Sequence, residues 1–90
     1  MQGPRHMFAI NWAKKAVKQW LKIPAIHRTR IAAEITKLAF FPALSDIKAL
    51  ANHQYGYRLR VGNYRVLFDV QTEIRIIDIQ EVKKRDDNTY

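Results

Sequence analysis

Arginines occupy alternate positions in the second half of the chain, where residues 57–68 read YRLRVGNYRVLF. Successive side chains of an extended strand point to opposite faces, so Arg58 and Arg60 would share one face of the first strand. A row of guanidinium groups on a sheet is unfavourable unless an anion neutralises it, because like charges repel. The pattern therefore indicates binding chemistry directed at RNA or another polyanion rather than at a small neutral ligand.

The charge of the whole chain agrees with a polyanionic partner. Sixteen lysines and arginines stand against eight acidic residues among 90, which gives a formal net charge of +8. Such a field attracts nucleic acid, an anionic surface or an acidic protein, and it accelerates encounter with each of them. Many small basic domains bind no polyanion, so the net charge alone does not select among these partners.

The composition excludes several kinds of site. The chain has no cysteine, which excludes disulfides and zinc sites built on thiolates. Its three histidines are scattered along the sequence, so we expect neither a metal site nor a cofactor. No apolar run approaches the roughly 18 residues of a membrane span. We expect a cytoplasmic protein with one domain over residues 7–90, preceded by a leader or cloning remnant over residues 1–6.

Two helices are predicted before the arginine-bearing strands. A short alternating strand over residues 7–12 comes first. Apolar residues then recur at helical spacing over residues 13–23, with lysines on the other side, and again over residues 25–40. Pro24 separates the two helices and Pro42 ends the second, since proline lacks an amide donor. We expect this helical hairpin to cover one face of a sheet.

Three further strands are predicted in the second half, over residues 56–61, 64–71 and 74–83. Gly62 and Asn63 supply a tight turn between the first two of them. Residues 43–54 before them are expected to form a connector with one helical turn near residues 46–50. The last strand contains a nearly continuous apolar run, which predicts a central strand buried on both faces. The fold class is therefore α+β in the order β-α-α-β-β-β, with a two-helix hairpin packed on a small, twisted, mainly antiparallel sheet.

At the hairpin the sequence resembles a known family. Residues 57–68 are similar to the YRLRVGxYRVxY block of the RelE/ParE toxin superfamily. Residues 82–85, which read VKKR, and the final Tyr90 resemble the KR…Y element that closes sequences of this family. The predicted order of helices and strands matches as well, so the likeness extends over the chain from Met7 onwards.

The resemblance implies a toxin of a type II toxin–antitoxin pair. In the RelE branch the toxin enters the ribosomal A site and cleaves mRNA there without a metal, so we expect a ribosome-dependent mRNA endonuclease that inhibits translation. The ParE branch shares the fold but poisons DNA gyrase, and a catalytically degraded toxin is a third alternative. In every case the implied partner is an antitoxin with an acidic, partly disordered segment that folds onto the basic toxin. The RelE alternative adds the ribosome and mRNA.

Metal-independent RNA cleavage makes three demands at the scissile phosphate. The 2′-hydroxyl must lose a proton, the pentavalent phosphate needs positive charge, and the leaving 5′-oxygen needs a proton. By resemblance, Arg58 stands near the attacking oxygen, Arg65 binds the phosphate and Arg85 lies beside the leaving oxygen. Arginine keeps its proton in proteins, so Arg58 is expected to stabilise charge rather than to act as a base. Tyr90 corresponds to a terminal tyrosine that stacks on a base or donates a hydrogen bond.

Each of these assignments has a simpler alternative. Arg58 and Arg85 could contact ribosomal RNA without a role in catalysis. Arg65 could form an ion pair across the sheet with Asp69 or Asp78.

The remaining cations of these two motifs are predicted to bind RNA rather than to catalyse, and they are Arg60, Lys83 and Lys84. Arg60 shares its strand face with Arg58 and could equally contact the antitoxin. Tyr90 could belong to a loose chain end, and His53 is expected to be an ordinary loop histidine. The sequence identifies no general base.

Overall fold

The computed structural model describes residues 7–85, which form two helices beside a five-stranded sheet. The elements are β1 (Ala9–Trp12), α1 (Lys14–Leu21), α2 (Ala25–Thr36), β2 (Ile47–Ala49), β3 (Tyr57–Val61), β4 (Tyr64–Gln71) and β5 (Ile76–Lys84). A 3₁₀ helix, Lys37–Phe40, continues α2. The predicted leader at residues 1–6 lies outside the described residues. Within residues 7–85 no helix is both long enough and apolar enough to cross a membrane.

The sheet is mixed, with the strand order β1-β5-β4-β3-β2. The first strand pairs with β5 in parallel, and the other neighbouring strands are antiparallel. This arrangement confirms the α+β class, the helical hairpin and the order β-α-α-β-β-β, to which β2 adds a short edge strand. Gly62 turns the chain between β3 and β4 with a φ of 58°, in the left-handed region that glycine adopts without strain.

One face of the sheet and the two helices enclose the hydrophobic core. The strands contribute alternate side chains to this face, among them Leu59, Val61, Val66, Phe68, Ile77 and Ile79. The second helix and its 3₁₀ extension contribute Ile31, Ile35 and Leu38, each at most 1% exposed. Burying side chains of this size contributes roughly 1.5–3 kcal/mol each, so the helices fix which face of the sheet remains open. We call the face turned away from the core the open face.

A β-bulge in β5 decides which side chains reach the open face. Phe68 pairs with Ile79 and Leu67 pairs with Glu81, so Gln80 has no residue opposite it. The extra residue reverses the alternation along the strand. Glu81 therefore lies on the open face with Leu67, and Val82 turns into the core.

Beyond the end of β1, a side chain of the first helix forms a hydrogen bond with the unpaired edge of β5. Pairing between the two strands stops at Ile79, and the backbone amide of Val82 beyond it has no strand partner on that side. The side-chain oxygen of Gln19 accepts a hydrogen bond from this amide at 2.8 Å. A helix side chain thus satisfies a buried donor that would otherwise be left without a partner.

Three local expectations were wrong. Residues 47–49 of the connector form β2 by pairing with β3, where a helical turn was expected. The last strand begins at Ile76 rather than at residue 74, because the turn after β4 continues through Arg75, which has a φ of 55°. Ile74 in this turn is 60% exposed. The strand is central, but it is not buried on both faces throughout, since over Ile76–Gln80 its core-facing side chains are buried and its open-face side chains are only half-buried.

Candidate functional site

Three cations lie side by side across the open face. Arg60 on β3 is directly opposite Arg65 on β4, and Arg65 is opposite Lys83 on β5. Arg58 lies two residues before Arg60 on the same face, and Lys48 is opposite it on β2. Residues directly opposite in antiparallel strands have Cβ atoms about 5 Å apart, so the row concentrates positive charge in a narrow band. Arg58 and Arg60 therefore share one face of β3, as strand alternation in the sequence predicts.

A cleft of about 150 Å³ lies within this band. It is lined by Arg58, Arg60, Tyr64, Arg65 and Arg85. The backbone amide of Arg85 donates a hydrogen bond to the carbonyl of Asn63 at 2.6 Å, which holds the residue after β5 beside the β3–β4 turn. Three of the four residues predicted to be catalytic therefore share one cavity with Arg60. We refer to this cavity as the arginine cleft.

The arginine cleft is partly withdrawn from water. Arg58 is half-buried, and its Nε atom is buried without a hydrogen-bond acceptor among the described residues. A guanidinium group in a partly desolvated cavity binds an anion more strongly than the same group does in bulk water. Charged hydrogen bonds from the planar fork of arginine to phosphate are also often bidentate. The cleft is therefore suited to hold a phosphate group.

The two carboxylates considered as alternative partners of Arg65 lie farther along the strands. Asp69 is opposite Asp78 in the β4–β5 pair. Asp69 is four positions beyond Arg65, or about 13 Å along an extended strand. Its carboxylate accepts hydrogen bonds from the backbone amide of Gly56 at 2.7 Å and from Gln80 at 3.2 Å. Asp78 accepts one from Asn11 at 2.9 Å. Both carboxylates are thus held by neutral donors.

A buried carboxylate lies at the edge of the cation row. The side chain of Glu81 is 8% exposed and lies 3.3 Å from the ammonium group of Lys15 and 3.7 Å from that of Lys83. It also accepts hydrogen bonds from the Tyr55 hydroxyl at 3.0 Å and from Gln19 at 3.2 Å. The network joins the loop before β3 to α1 across the open face.

Hydrogen bonding decides the ionisation of Glu81. Burial alone would raise the pKa of this carboxyl group, but the hydrogen bonds from Gln19, Tyr55 and Lys15, with the nearby charge of Lys83, lower it below its ordinary value. Burial and the hydrogen bond to Glu81 raise the pKa of Tyr55. Glu81 is therefore an ionised structural anchor, and its low pKa makes it a weak proton acceptor.

The other predicted site residues are less closely grouped. Lys83 shares the open face with Arg65, but Lys84 points to the other face. There it lines a cavity with Gln19 of α1 and with Lys22, which directly follows α1. Tyr90 lies outside the described residues, so its assignment stays a prediction. His53 is an exposed loop residue whose Nδ1 atom accepts a hydrogen bond from the backbone of Tyr55 at 3.0 Å.

Two parts of the site were missed by sequence reasoning. Tyr64 has its ring on the core side, yet it lines the arginine cleft, because it begins β4 at the end of the sheet. Glu81 was missed because only the bulge at Gln80 brings it to the open face.

Within residues 7–85 no group of three or more histidine, aspartate or glutamate residues could hold a metal ion. Among the described residues, neither an acid nor a histidine lines the arginine cleft, so the groups that line it are suited to stabilise negative charge.

Comparison with known proteins connects this geometry to a family. The sequence profile of the ParE toxin of the type II toxin–antitoxin system parDE matches residues 10–89. The chain is also similar to RelE in the RelE–RelB complex from Pyrococcus horikoshii OT3. The TM-score is 0.77 and the identity 26%, over 90% of this chain and 98% of that one. No match was found among curated proteins.

Two further structures resemble the chain. The antitoxin–toxin complex RelB–RelE from Methanococcus jannaschii contains a chain that is 30% identical, with a TM-score of 0.67 over 83% of this chain and 90% of that one. The isolated RelE toxin of E. coli has a TM-score of 0.74 at 17% identity, over 88% of this chain and 85% of that one, and it shares the fold.

Proposed function

The chain belongs to the RelE/ParE superfamily of toxins from type II toxin–antitoxin systems, and from this premise we propose that it is a ribosome-dependent endoribonuclease. It would cleave mRNA in the ribosomal A site and so stop translation, as the resemblance to the RelE branch implies. The observation that carries this proposal is the cleft that Arg58, Arg65 and Arg85 share. A cavity lined by guanidinium groups fits the phosphate of an RNA strand better than it fits a neutral ligand.

In the proposed reaction the 2′-oxygen attacks the adjacent phosphorus, and the bond to the 5′-oxygen breaks. The products are a 2′,3′-cyclic phosphate and a 5′-hydroxyl end. Arg65, at the centre of the cation row, would hold the non-bridging oxygens, Arg58 would stabilise charge on the attacking oxygen, and Arg85 would do so on the leaving oxygen. Preorganised positive charge supplies the stabilisation that a metal would otherwise give, so the proposed reaction uses no metal.

Among the described residues, the cleft is lined by arginines and one tyrosine, without a carboxylate or a histidine that could accept a proton. Glu81, outside the cleft, is buried and occupied by four hydrogen-bonding or charged neighbours. We therefore propose that the ribosome contributes to proton transfer or to the alignment of the 2′-hydroxyl. This requirement would explain a toxin that acts on mRNA only within the ribosome.

We also propose an antitoxin as the physiological partner. The relatives from Pyrococcus horikoshii and Methanococcus jannaschii were crystallised as complexes with RelB antitoxins. The open face carries a row of closely spaced cations, which an acidic segment would neutralise while covering the arginine cleft. Such a segment loses conformational entropy when it folds on binding, and the large charged interface that it forms offsets this loss.

The matching sequence profile is that of ParE, and this favours a second candidate, inhibition of DNA gyrase without RNA cleavage. One experiment separates the two. Ribosomes programmed with a defined A-site codon are treated with purified protein, and primer extension locates new 5′ ends. In parallel, supercoiling by gyrase is measured with the same preparation. We expect cleavage at the A-site codon and unchanged supercoiling. Intact mRNA together with blocked supercoiling would exclude the nuclease and leave the ParE alternative.

A further inference from the structure

A second cavity adjoins the arginine cleft at the end of the sheet. It has a volume of about 140 Å³ and lies between α2 and the β3–β4 turn, lined by His27, Arg30, Ile31, Val61, Gly62, Asn63 and Tyr64. Tyr64 lines both cavities. Asn63, which lines the second, accepts the backbone hydrogen bond of Arg85, which lines the first. The two cavities are therefore neighbours that share Tyr64 as a wall.

The second cavity has an apolar floor and a polar rim. Ile31 and Val61 are at most 3% exposed and Tyr64 is 9% exposed, so they form the floor. The exposed residues at the rim are His27, Arg30, Gly62 and Asn63. The rings of His27 and Tyr64 are in contact, with centroids 5.5 Å apart. An aromatic wall beside an apolar floor is the surface on which an unstacked nucleobase is held.

The rim supplies the polar groups that a nucleotide needs. The side-chain amide of Asn63 makes no hydrogen bond to any described residue, and it offers both donors and an acceptor to a base edge. The guanidinium group of Arg30 extends over the turn, since its Nη1 atom lies 3.5 Å from where a Cβ atom of Gly62 would stand. A guanidinium in this position can bind a phosphate or stack on a base.

A third cavity, of about 390 Å³, also meets Tyr64, but it is less suited to a base. Lys22 and Lys84 supply its charge. The side-chain amide of Gln19 in this cavity is already hydrogen-bonded at both atoms, because Nε2 donates to Glu81 and Oε1 accepts from the backbone amide of Val82. The lysines can attract a phosphate, but no amide there is available to read a base.

We propose that the cavity formed by His27, Arg30, Asn63 and Tyr64 is a nucleotide subsite for single-stranded RNA, next to the phosphate bound in the arginine cleft. This inference rests on the proposed function, because it takes RNA to be the occupant of the arginine cleft. The subsite holds one base against the aromatic wall, Asn63 contacts its edge, and Arg30 binds the neighbouring phosphate.

The test measures binding of a fluorescein-labelled hexanucleotide RNA by anisotropy at several salt concentrations, without ribosomes. Each phosphate contact on a single strand adds about 0.7 to the slope of log affinity against log salt. Arg30→Ala should therefore lower the slope by about 0.7, and Asn63→Ala should weaken affinity by roughly twofold to tenfold, the scale of losing one hydrogen bond. Lys14→Ala is the matched control, because it removes one exposed cation of α1 that lines none of the three cavities.

An abasic substitution locates the base. Hexanucleotides with one abasic position, moved along the strand, should include one that weakens binding to the unaltered protein more than it weakens binding to Asn63→Ala, because that variant has already lost the contact to the base edge and the two changes are not additive. If Arg30→Ala behaves like Lys14→Ala and Lys22→Ala lowers the slope instead, the strand follows the third cavity and the subsite is refuted.

Two further outcomes separate this proposal from its premise. If the protein cleaves mRNA on ribosomes and binds the hexanucleotide, but neither Arg30→Ala nor Asn63→Ala changes that binding, the subsite is refuted and the nuclease proposal stands. If Arg30→Ala instead weakens binding of a cognate antitoxin and leaves RNA binding unchanged, the cavity is a protein contact. Absence of both mRNA cleavage and RNA binding would refute the premise itself.

Discussion

Arg60 and Arg65 are directly opposite each other in the antiparallel β3–β4 pair, and both side chains lie on the open face of the sheet. Like charges in directly opposite positions destabilise a sheet by a few tenths to about 1 kcal/mol. The protein tolerates this repulsion in the same cleft that would bind phosphate. The arrangement is favourable once an anion enters, because two guanidinium groups then share one negatively charged ligand.

Removing one member of this pair should stabilise the free protein. We expect Arg60→Gln to raise the free energy of unfolding by about 0.5 kcal/mol at low salt, because the repulsion with Arg65 disappears. The gain should vanish near 0.5 M salt, where screening is strong. Urea denaturation at both salt concentrations measures it. Lys37→Gln is the control of equal charge change, and it should destabilise slightly, because Lys37 forms an ion pair with Glu34 at 3.0 Å. A loss of stability in Arg60→Gln would contradict the repulsion.

Loss of an arginine from the cleft should affect cleavage much more than folding. Arg65→Ala and Arg85→Ala are each expected to reduce ribosome-dependent cleavage by roughly a hundredfold or more, the scale of losing one stabiliser of transition-state charge. Stability should change by under about 1 kcal/mol, as is usual for side chains outside the core. Cleavage is followed as a single-turnover rate on programmed ribosomes and folding by thermal denaturation. Lys14→Ala should retain the unaltered rate. An Arg65→Ala protein that cleaves normally would remove Arg65 from the reaction.

The Glu81 network should make stability depend on pH. The pKa of Glu81 is lowered from its ordinary value of 4.5 in the folded protein. The unfolded chain therefore binds the proton more tightly, so the stabilisation is complete above about pH 4.5 and is lost as pH falls through the lower folded pKa. At pH 7, Glu81→Gln should reduce the free energy of unfolding by about 1–3 kcal/mol, the range for hydrogen bonds to a charged group.

Urea denaturation of both proteins between pH 7 and pH 3 tests this dependence. The difference between the unaltered protein and Glu81→Gln should shrink as the solution becomes more acidic. Glu34→Gln is the matched control, since it removes a carboxylate from an exposed pair with Lys37, worth only a few tenths of a kcal/mol. A difference for Glu81→Gln that stays constant down to pH 3 would show that its charge does not stabilise the fold.

Binding of the antitoxin should weaken as salt rises. If the acidic segment covers the cations of the open face, screening will reduce its affinity, and titration calorimetry between 50 mM and 500 mM salt will show a steep decline. Arg60→Ala should make the decline shallower, because one charge pair is lost. An affinity that is constant over this range would place the antitoxin on a different surface.

The sequence predicts most of this fold because its patterns are strong where the core is formed. The strand over Tyr64–Gln71 was predicted to the residue, since apolar and polar side chains alternate and a glycine turn precedes it. The edge strand Ile47–Ala49 was missed, because three residues carry no periodicity and β2 exists only through its pairing with β3. The start of β5 was misplaced for a similar reason, as pairing with β1 begins only at Ile76.

The site was predictable in composition but not in its surroundings. Strand alternation predicts that Arg58 and Arg60 share a face, whereas Arg65 and Arg85 were assigned to the site through the family motifs. Simple alternation along β5 places Glu81 on the core side with Ile77 and Ile79. The bulge at Gln80 reverses this, and no local signal in the sequence marks it. The cavity proposed as a nucleotide subsite beside Tyr64 likewise depends on how α2 packs against a turn about 30 residues later, which is a tertiary contact.

The position of β5 between β1 and β4 has a consequence for biosynthesis. Its partner Ala9 is translated 67 residues before Ile76, yet the two segments must meet before the sheet is complete. Contacts between such distant segments form slowly, because a long loop has to close. The arginine cleft also needs Arg85, which follows this strand. Under the proposed function, the nascent toxin could not act on a ribosome until the final strand has been synthesised, and this delay would leave time for an antitoxin to engage the emerging chain.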